Sequence, residues 1–323
     1  MNHLDRYREE VSSFIDDVQL SKSPKELYQP IDYILKIGGK RLRPVLTLFS
    51  AEVFGSSSKE AIYAAVAIEM FHNFSLIHDD IMDEAPLRRG NKTVHEKWNL
   101  NTGILSGDAM LILAYQYFEQ YEPQVFRELA KLFSKTALEV CEGQQLDINF
   151  ETRTDVSIDE YIQMIEYKTA VLVGAAFEMG AIVAKTSQEN RCAIYNYGKY
   201  LGIAFQLQDD FLDAFGDAET FGKQVGGDIL ENKKTYLYLR ALENANQEQK
   251  ASLEKWFATT ENTQEKIEVV KQLFQETGVV SDSEKLIEKF TNKALHILED
   301  LEIPMDYKEE LKAFSLNLMN RVV

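Results

Sequence analysis

Apolar residues recur at steps of three and four along nearly the whole chain, and strict alternation is almost absent. A helix, at 3.6 residues per turn, converts that spacing into one continuous face, whereas a strand would need every second residue. With only six prolines and 16 glycines to interrupt it, the pattern predicts an all-α chain of long helices. They are expected over residues 4–18, 24–37, 44–54, 59–83, 101–121, 123–147, 158–184 and 190–215, with more helix from 236 to 323. Pro44 suits a first helical turn, where its missing N–H costs nothing. Val66, Met70, Phe74, Ile77 and Ile81 fall along one apolar stripe of the helix 59–83. The stretch 216–234 differs, because Gly222, Gly226 and Gly227 interrupt it among lysines and acids. It reads as a mobile binding loop. No repeat or linker divides the rest, and short connections favour one helical bundle domain over 1–323.

Charge narrows the partners. Fifty-two acidic against 35 basic side chains give a net charge of -17, which opposes a sequence-blind grip on nucleic acid or an anionic membrane. No run of about 18 apolar residues promises stable membrane insertion, and the start MNHLDRYREEV lacks a basic segment followed by an apolar one. Cys141 and Cys192 are too few for a disulfide framework, so a reducing compartment is expected. A soluble, cytoplasmic protein follows, with both cysteines as small core residues.

Acids are concentrated where helices end. Asp79, Asp80 and Asp83 stand at i, i+1 and i+4 in LIHDDIMDEAPLRRG, and Pro86 requires the helix to stop shortly after them. Carboxylates in a last turn are opposed by the negative helix end and by one another, two penalties that a divalent cation removes. Asp209, Asp210 and Asp213 repeat the spacing in QDDFLD before Gly216. One such cluster could be a solvated terminus, but two on separate apolar helices point to metal. Oxygen-only ligands in an incomplete shell favour Mg2+ finished by waters and substrate phosphates. No calcium-binding EF-hand loop spacing is present.

Cations accompany the acids. GGKRLRP places Lys40, Arg41 and Arg43 between a glycine turn and a helix start, an arrangement suited to diphosphate. Arg88 and Arg89 follow the first acid cluster; Lys168 and Thr169 lie mid-helix in EYKTA; Lys223, Lys233 and Lys234 flank the glycine-interrupted loop. His72 precedes Asp79 by two helical turns on one face, and Gln206 precedes the second cluster. Nothing resembles a Ser/His/Asp or Cys/His nucleophile system, a P-loop or a dinucleotide fingerprint.

Taken together and in order, GGKRLRP, LIHDDIMDEAPLRRG, GDAM, EGQQLD, YKTA, QLQDDFLD and GKQVGGD with NKK resemble the trans-type isoprenyl diphosphate synthases of the polyprenyl synthetase family, over about residues 31–234. The resemblance implies an all-α fold around a deep central cavity and a homodimer that joins isopentenyl diphosphate to an allylic diphosphate. It implies Asp79, Asp83 and Asp209 as direct Mg2+ ligands, supported by Asp80, Asp210 and Asp213, with three ions once diphosphate is bound. Lys40, Arg43, His72 and Arg89 would hold isopentenyl diphosphate. Arg88, Lys168, Thr169, Gln206, Lys223 and Lys233 would surround the allylic diphosphate, with Lys168 and Arg88 as catalytic groups. The family's basic C-terminal end is reduced here to Arg321 before Val322 and Val323.

The growing tail would lie along the helix beneath Asp79, where Ser75 and Phe71 fall at i-4 and i-8 and Phe74 at i-5. These residues are expected to floor the cavity. An aromatic at i-5 with a two-residue spacer in DDIMD resembles archaeal-type geranylgeranyl (C20) synthases, with farnesyl (C15) synthesis as the alternative. A terpene cyclase would not need the second aspartate set, and a non-catalytic regulatory subunit would be expected to lack acidic ligands that stand intact here.

Overall fold

The computed structural model of the protein describes residues 3–18, 22–216, 225–259 and 263–319, and nearly all regular structure in them is helical. The chain separates into two compact units, Met1–Ala137 with Ala175–Cys192, and Leu138–Gly174 with Ala193–Val323.

The first unit holds α1 (His3–Asp17), α2 (Lys25–Ile37), α3 (Leu42–Val53), α4 (Ser58–Met82), α5 (Val94–Lys97), α6 (Leu100–Phe118), the first part of α7 (Pro123–Thr152) and most of α9 (Val171–Val183). Helix α4 starts on a reciprocal cap, in which the Ser57 hydroxyl accepts from the Glu60 N–H and the Glu60 carboxylate accepts from the Ser57 N–H. The expected stripe is too narrow. Val66, Met70 and Ile77 are buried, but so are Ala64, Ala65, Ala67, Ile68, Glu69 and Phe71, so α4 is enclosed on every side through its middle. Alanines let neighbours close in without adding to a periodic apolar signal. Glycines on α6 do the same near the acids: a Cβ at Gly103 would lie 2.9 Å from Ile81, and one at Gly107 would strike the His78 ring. Two buried hydroxyls tie α3 to α9, Thr47 donating to the Ala176 carbonyl at 2.9 Å and Ser50 to that of Phe177 at 2.6 Å.

After α4 the chain makes an unexpected hairpin, Leu87–Arg88 paired with Asn91–Lys92. Arg89 and Gly90 form its tip at φ 52° and 74°, both left-handed, as a two-residue hairpin turn requires. Arg89 carries no sequence signal for that conformation.

The second unit holds the rest of α7, then α8 (Ile158–Ile165), most of α10 (Gln188–Phe215), α11 (Gly227–Leu230), α12 (Tyr236–Asn244), α13 (Gln247–Phe257), α14 (Gln264–Glu276), α15 (Val279–Asp300) and α16 (Met305–Met319). Its core gathers Ala170, Ile203, Leu207, Phe211, Val270, Phe274 and Val279. The helix expected over 158–184 is interrupted by a π-helical segment, Glu166–Ala170, which contains Lys168 and Thr169. Gly143 of α7 lies against it so closely that a Cβ would overlap the Lys168 backbone N–H. A one-residue expansion of this kind keeps every residue helical, so apolar periodicity does not reveal it.

Both cysteines are exposed, which corrects the expectation of core positions. Around Cys141 the buried positions of α7 are Val140, Gly143 and Gln144, and Cys141 turns away from them with Glu142. No helix among the described residues is long and apolar enough to cross a membrane.

Candidate active site

In the first unit α4 delivers its three acids in unlike environments: Asp79 half-buried, Asp80 buried and Asp83 exposed as the C-cap. Burial raises the Asp80 pKa, and Arg88 opposes the rise by reaching back from the hairpin with Nε at 2.7 Å and Nη2 at 2.6 Å from Oδ1. The other carboxylate oxygen, Oδ2, is buried without a partner. Arg88 thus serves an aspartate in this structure, a use its assignment to substrate did not anticipate.

The GGKRLRP turn is built on Gly38, Gly39 and Arg41, at φ 81°, 142° and 49°. Arg41 does not face solvent. It is buried, pairs with Glu69 at 2.5 Å, and donates to the Leu35 carbonyl. Glu69 also accepts from Asn73 at 3.0 Å. This pair fixes the turn from which Arg43 leaves.

Arg43 donates through Nη1 to His72 Nε2 at 3.2 Å, and its own Nε is buried without a partner. Burial lowers the Arg43 pKa to about 10, Glu69 resists and Arg89 adds to the lowering. Burial first, then Arg43, Arg89, Arg88 and Arg41, holds the His72 pKa well below the usual range. The imidazole is therefore neutral at pH 7, with Nε2 as acceptor. The Arg89 guanidinium lies over Gly39, where a Cβ would come within 2.5–2.7 Å of it. With Arg41 paired to Glu69 and Arg88 to Asp80, Arg43 and Arg89 beside a neutral His72, one N–H unmet, form a positive group suited to a polyanion.

Beneath Asp79, Ser75 donates to the His72 carbonyl at 2.9 Å, and Phe74 packs edge-on against His78 with centroids 4.7 Å apart. Phe71 is 1% exposed and joins Phe74 to Phe133, at 5.5 and 5.2 Å. Phe133 continues to Phe118 and Tyr115. Phe71 is thus the first ring of an aromatic cluster, and Phe74 its partly exposed edge.

In the second unit the end of α10 carries Asp209 and Asp213 half-buried and Asp210 buried. Asp210 accepts from the Tyr161 hydroxyl and from Gln206 at 2.8 Å, and Gln206 in turn accepts from the Thr169 hydroxyl at 3.1 Å. Burial and then the charge of Asp228 push the Asp210 pKa up to about 8, with Asp209 adding and the Tyr161 and Gln206 hydrogen bonds resisting. Asp213 accepts from the Asp228 N–H at 2.9 Å through its carboxylate and from the Gly226 N–H at 2.6 Å through its carbonyl.

Lys168, on the π segment, donates to Asp147 at 2.5 Å. Lys233 pairs with Glu231 at 2.8 Å and with Asp228 at 3.4 Å. Burial alone would lower the Lys233 pKa, but Asp228, Glu231 and Asp147 raise it instead. Lys234 is bound to the Phe150 and Glu151 carbonyls at the end of α7. Lys223 and Arg321 lie outside the described residues.

Sequence reasoning passed over Tyr161, Asp228, Glu69 and a role for Asp147. Asp147 ends EGQQLD and Asp228 ends GKQVGGD, but Tyr161 and Glu69 lie in no motif, since they act on partners 49 and 28 positions away.

The acids suit Mg2+. All donors are oxygens, an Asp80 oxygen stands unmet in a buried position, and burial, with the charges of Asp228 and Asp209 adding to it, raises the Asp210 pKa in the direction a cation would oppose. Among the described residues no three His, Cys, Asp or Glu side chains are gathered closely enough to hold a metal ion by themselves.

Comparison with known proteins agrees. The polyprenyl synthetase family model matches residues 24–277. A geranylgeranyl diphosphate synthase of Methanosarcina mazei is 43% identical over 235 residues, covering 72% of each chain. A geranylfarnesyl diphosphate synthase of Natronomonas pharaonis is 35% identical over 324 aligned residues, covering 91% of this chain and 93% of that one. A crystal structure described as geranylgeranyl pyrophosphate synthase superposes with a TM-score of 0.95 at 53% identity, with full coverage of both chains.

Proposed function

This chain belongs to the polyprenyl synthetase family, and from that premise we propose that it is a trans-prenyltransferase making geranylgeranyl diphosphate by head-to-tail addition of isopentenyl diphosphate to allylic diphosphates. The carrying observation is the net positive Arg43, His72 and Arg89 group, with a buried Arg43 N–H lacking a partner, in a chain that keeps every acid of both aspartate sets. Residues 1–323 act as one catalytic domain, supported by a family model that runs through both units. Similarity to geranylgeranyl synthases supports the C20 product.

Asp79, Asp83 and Asp209 would ligate Mg2+, with Asp80, Asp210 and Asp213 supporting them. When bound, the metal supplies positive charge against the departing diphosphate. Lys168, Arg88 and Lys233 add to that charge where it grows as the allylic C–O bond breaks. Lys40, Arg43, His72 and Arg89 hold isopentenyl diphosphate so that its double bond meets the allylic carbon, and the proton then lost passes to the released diphosphate. A neutral His72 accepts from Arg43 and orients that guanidinium without adding charge. No side-chain nucleophile is required. Ile104, Leu105 and Ile112, exposed at 39%, 59% and 58% along α6, support a homodimer. A cytoplasmic location completes the reading.

The test is elongation by the purified chain with labelled isopentenyl diphosphate. Asp79→Asn and Asp209→Asn should each lower turnover at least about hundredfold, and chelation should abolish it. Full activity in either variant, or with chelator present, would remove the metal roles.

A further inference from the structure

Lys266, in the first turn of α14, has no exposed surface. Its ammonium donates to three uncharged oxygens, the Asn232 side chain at 2.7 Å and the Thr259 and Leu230 carbonyls at 3.2 and 3.3 Å. No carboxylate pairs with it among the described residues. The position is also wrong for a cation on helix grounds, because the N-terminal turn presents the positive end of α14. An apolar side chain of similar length would avoid both the desolvation and the dipole cost. The three bonds therefore point to what they hold.

They hold the turn that carries Asp228 and Lys233. Leu230 and Asn232 stand on either side of Glu231, and Asn232 adopts the left-handed conformation at φ 58° while its amide donates to the same Thr259 carbonyl at 3.1 Å. The turn closes on itself, the Lys233 N–H donating to the Asp228 carbonyl at 2.9 Å. At its other end Gly226 lies against Ile267, the residue after Lys266, where a Cβ would sit 2.9 Å from the isoleucine side chain. Gly226 and Asp228 are the residues whose N–H groups bind Asp213. One buried cation and its neighbour thus fasten both ends of a segment bonded directly to the second aspartate set.

We propose that Lys266 is a positioning residue, a buried bolt that fixes Asp228 and Lys233 relative to Asp213 and thereby sets how tightly Mg2+ and the allylic diphosphate are held. The proposal rests on the prenyltransferase reading for the identity of that ligand. Lys266 touches no substrate and acts only through Asn232 and the Leu230 carbonyl.

Two variants test it, Lys266→Met, which removes the ammonium and keeps the chain length, and Asn232→Gly, which keeps the left-handed backbone and removes the side-chain bonds. Each is compared with wild type for KM of both substrates, and for Mg2+-dependent binding of inorganic pyrophosphate by calorimetry. Displacing the turn by a fraction of an ångström should raise the allylic KM and weaken pyrophosphate about tenfold or more in both variants. The isopentenyl KM should stay within about twofold, because Arg43, His72 and Arg89 are untouched. Unchanged pyrophosphate binding in either folded variant would overturn the proposal, as would an equal loss on both substrates. Loss of cooperative melting in both variants would overturn it too, in favour of a purely structural role. If wild type elongates no primer, the prenyltransferase reading fails separately, while pyrophosphate binding still decides whether Lys266 governs the metal and diphosphate site.

Discussion

Gly143→Ala sets two opposing effects against each other. In the middle of α7, alanine favours the helix over glycine by about 1 kcal/mol. The new Cβ, however, would overlap the Lys168 N–H and come within 2.7 Å of the Lys168 Cα and the Tyr167 carbonyl carbon. These are backbone atoms of the π segment and cannot rotate away. Restoring an ordinary carbon contact of about 3.5 Å needs a displacement of about 1 Å. Overpacking of this kind costs about 1–3 kcal/mol, so net stability should fall by about 0–2 kcal/mol. Activity should fall much further, since moving Lys168 and Thr169 by about 1 Å costs about hundredfold. The assay is kcat/KM for the allylic substrate beside a thermal melt. Coupling supplies the control: in a Lys168→Ala background the added Gly143→Ala should lower activity less than it does in wild type, because the Lys168 ammonium it misplaces is already gone and only Thr169 remains to be moved. Near-native kcat/KM in the single variant, or full additivity in the double, would refute the reasoning.

Other outcomes follow from the same geometry. Glu69→Ala leaves the buried Arg41 guanidinium without its ion pair, so chemical denaturation should show a loss of about 3–5 kcal/mol; a loss below about 1 kcal/mol would deny the pair its role. His72 is held neutral with a folded pKa below its unfolded value, so the stability it contributes is present above about pH 6.5 and lost as pH falls toward the folded pKa. Melts between about pH 7.5 and 5 should therefore decline less steeply for His72→Gln than for wild type, and parallel curves would contradict a depressed pKa. Phe74→Ala, and more so Phe71→Ala added to it, should lengthen the product; an unchanged chromatographic distribution would defeat the floor assignment. Because Phe71 is fully buried against Phe133, its truncation should also cost about 3–5 kcal/mol.

The helices and both aspartate sets were legible because each depends on residues within a turn or two of one another. Asp79 and Asp83, like Asp209 and Asp213, are local patterns on periodic helices. The π segment was hidden for the opposite reason: Lys168 and Thr169 sit in an unbroken helical sequence, and what bulges the chain there is packed against Gly143, 25 positions earlier than Lys168. Arg41 reads in GGKRLRP as one of three cations suited to diphosphate, yet its positive φ and its bond to Glu69 turn it inward. Arg88 likewise reads as a phosphate ligand until the hairpin aims it at Asp80. Tyr161 and Lys266 had no motif at all, because their importance lies in oxygens supplied by distant segments. Cys141 and Cys192 were misplaced because residue type alone predicts burial only on average.

The most direct measurement is chromatography of the product formed by the purified chain from labelled isopentenyl diphosphate, Mg2+ and each allylic diphosphate in turn. The account predicts elongation that accumulates at C20 whichever shorter primer is supplied. Failure to elongate any primer, or cyclised hydrocarbon in place of a linear diphosphate, would contradict it.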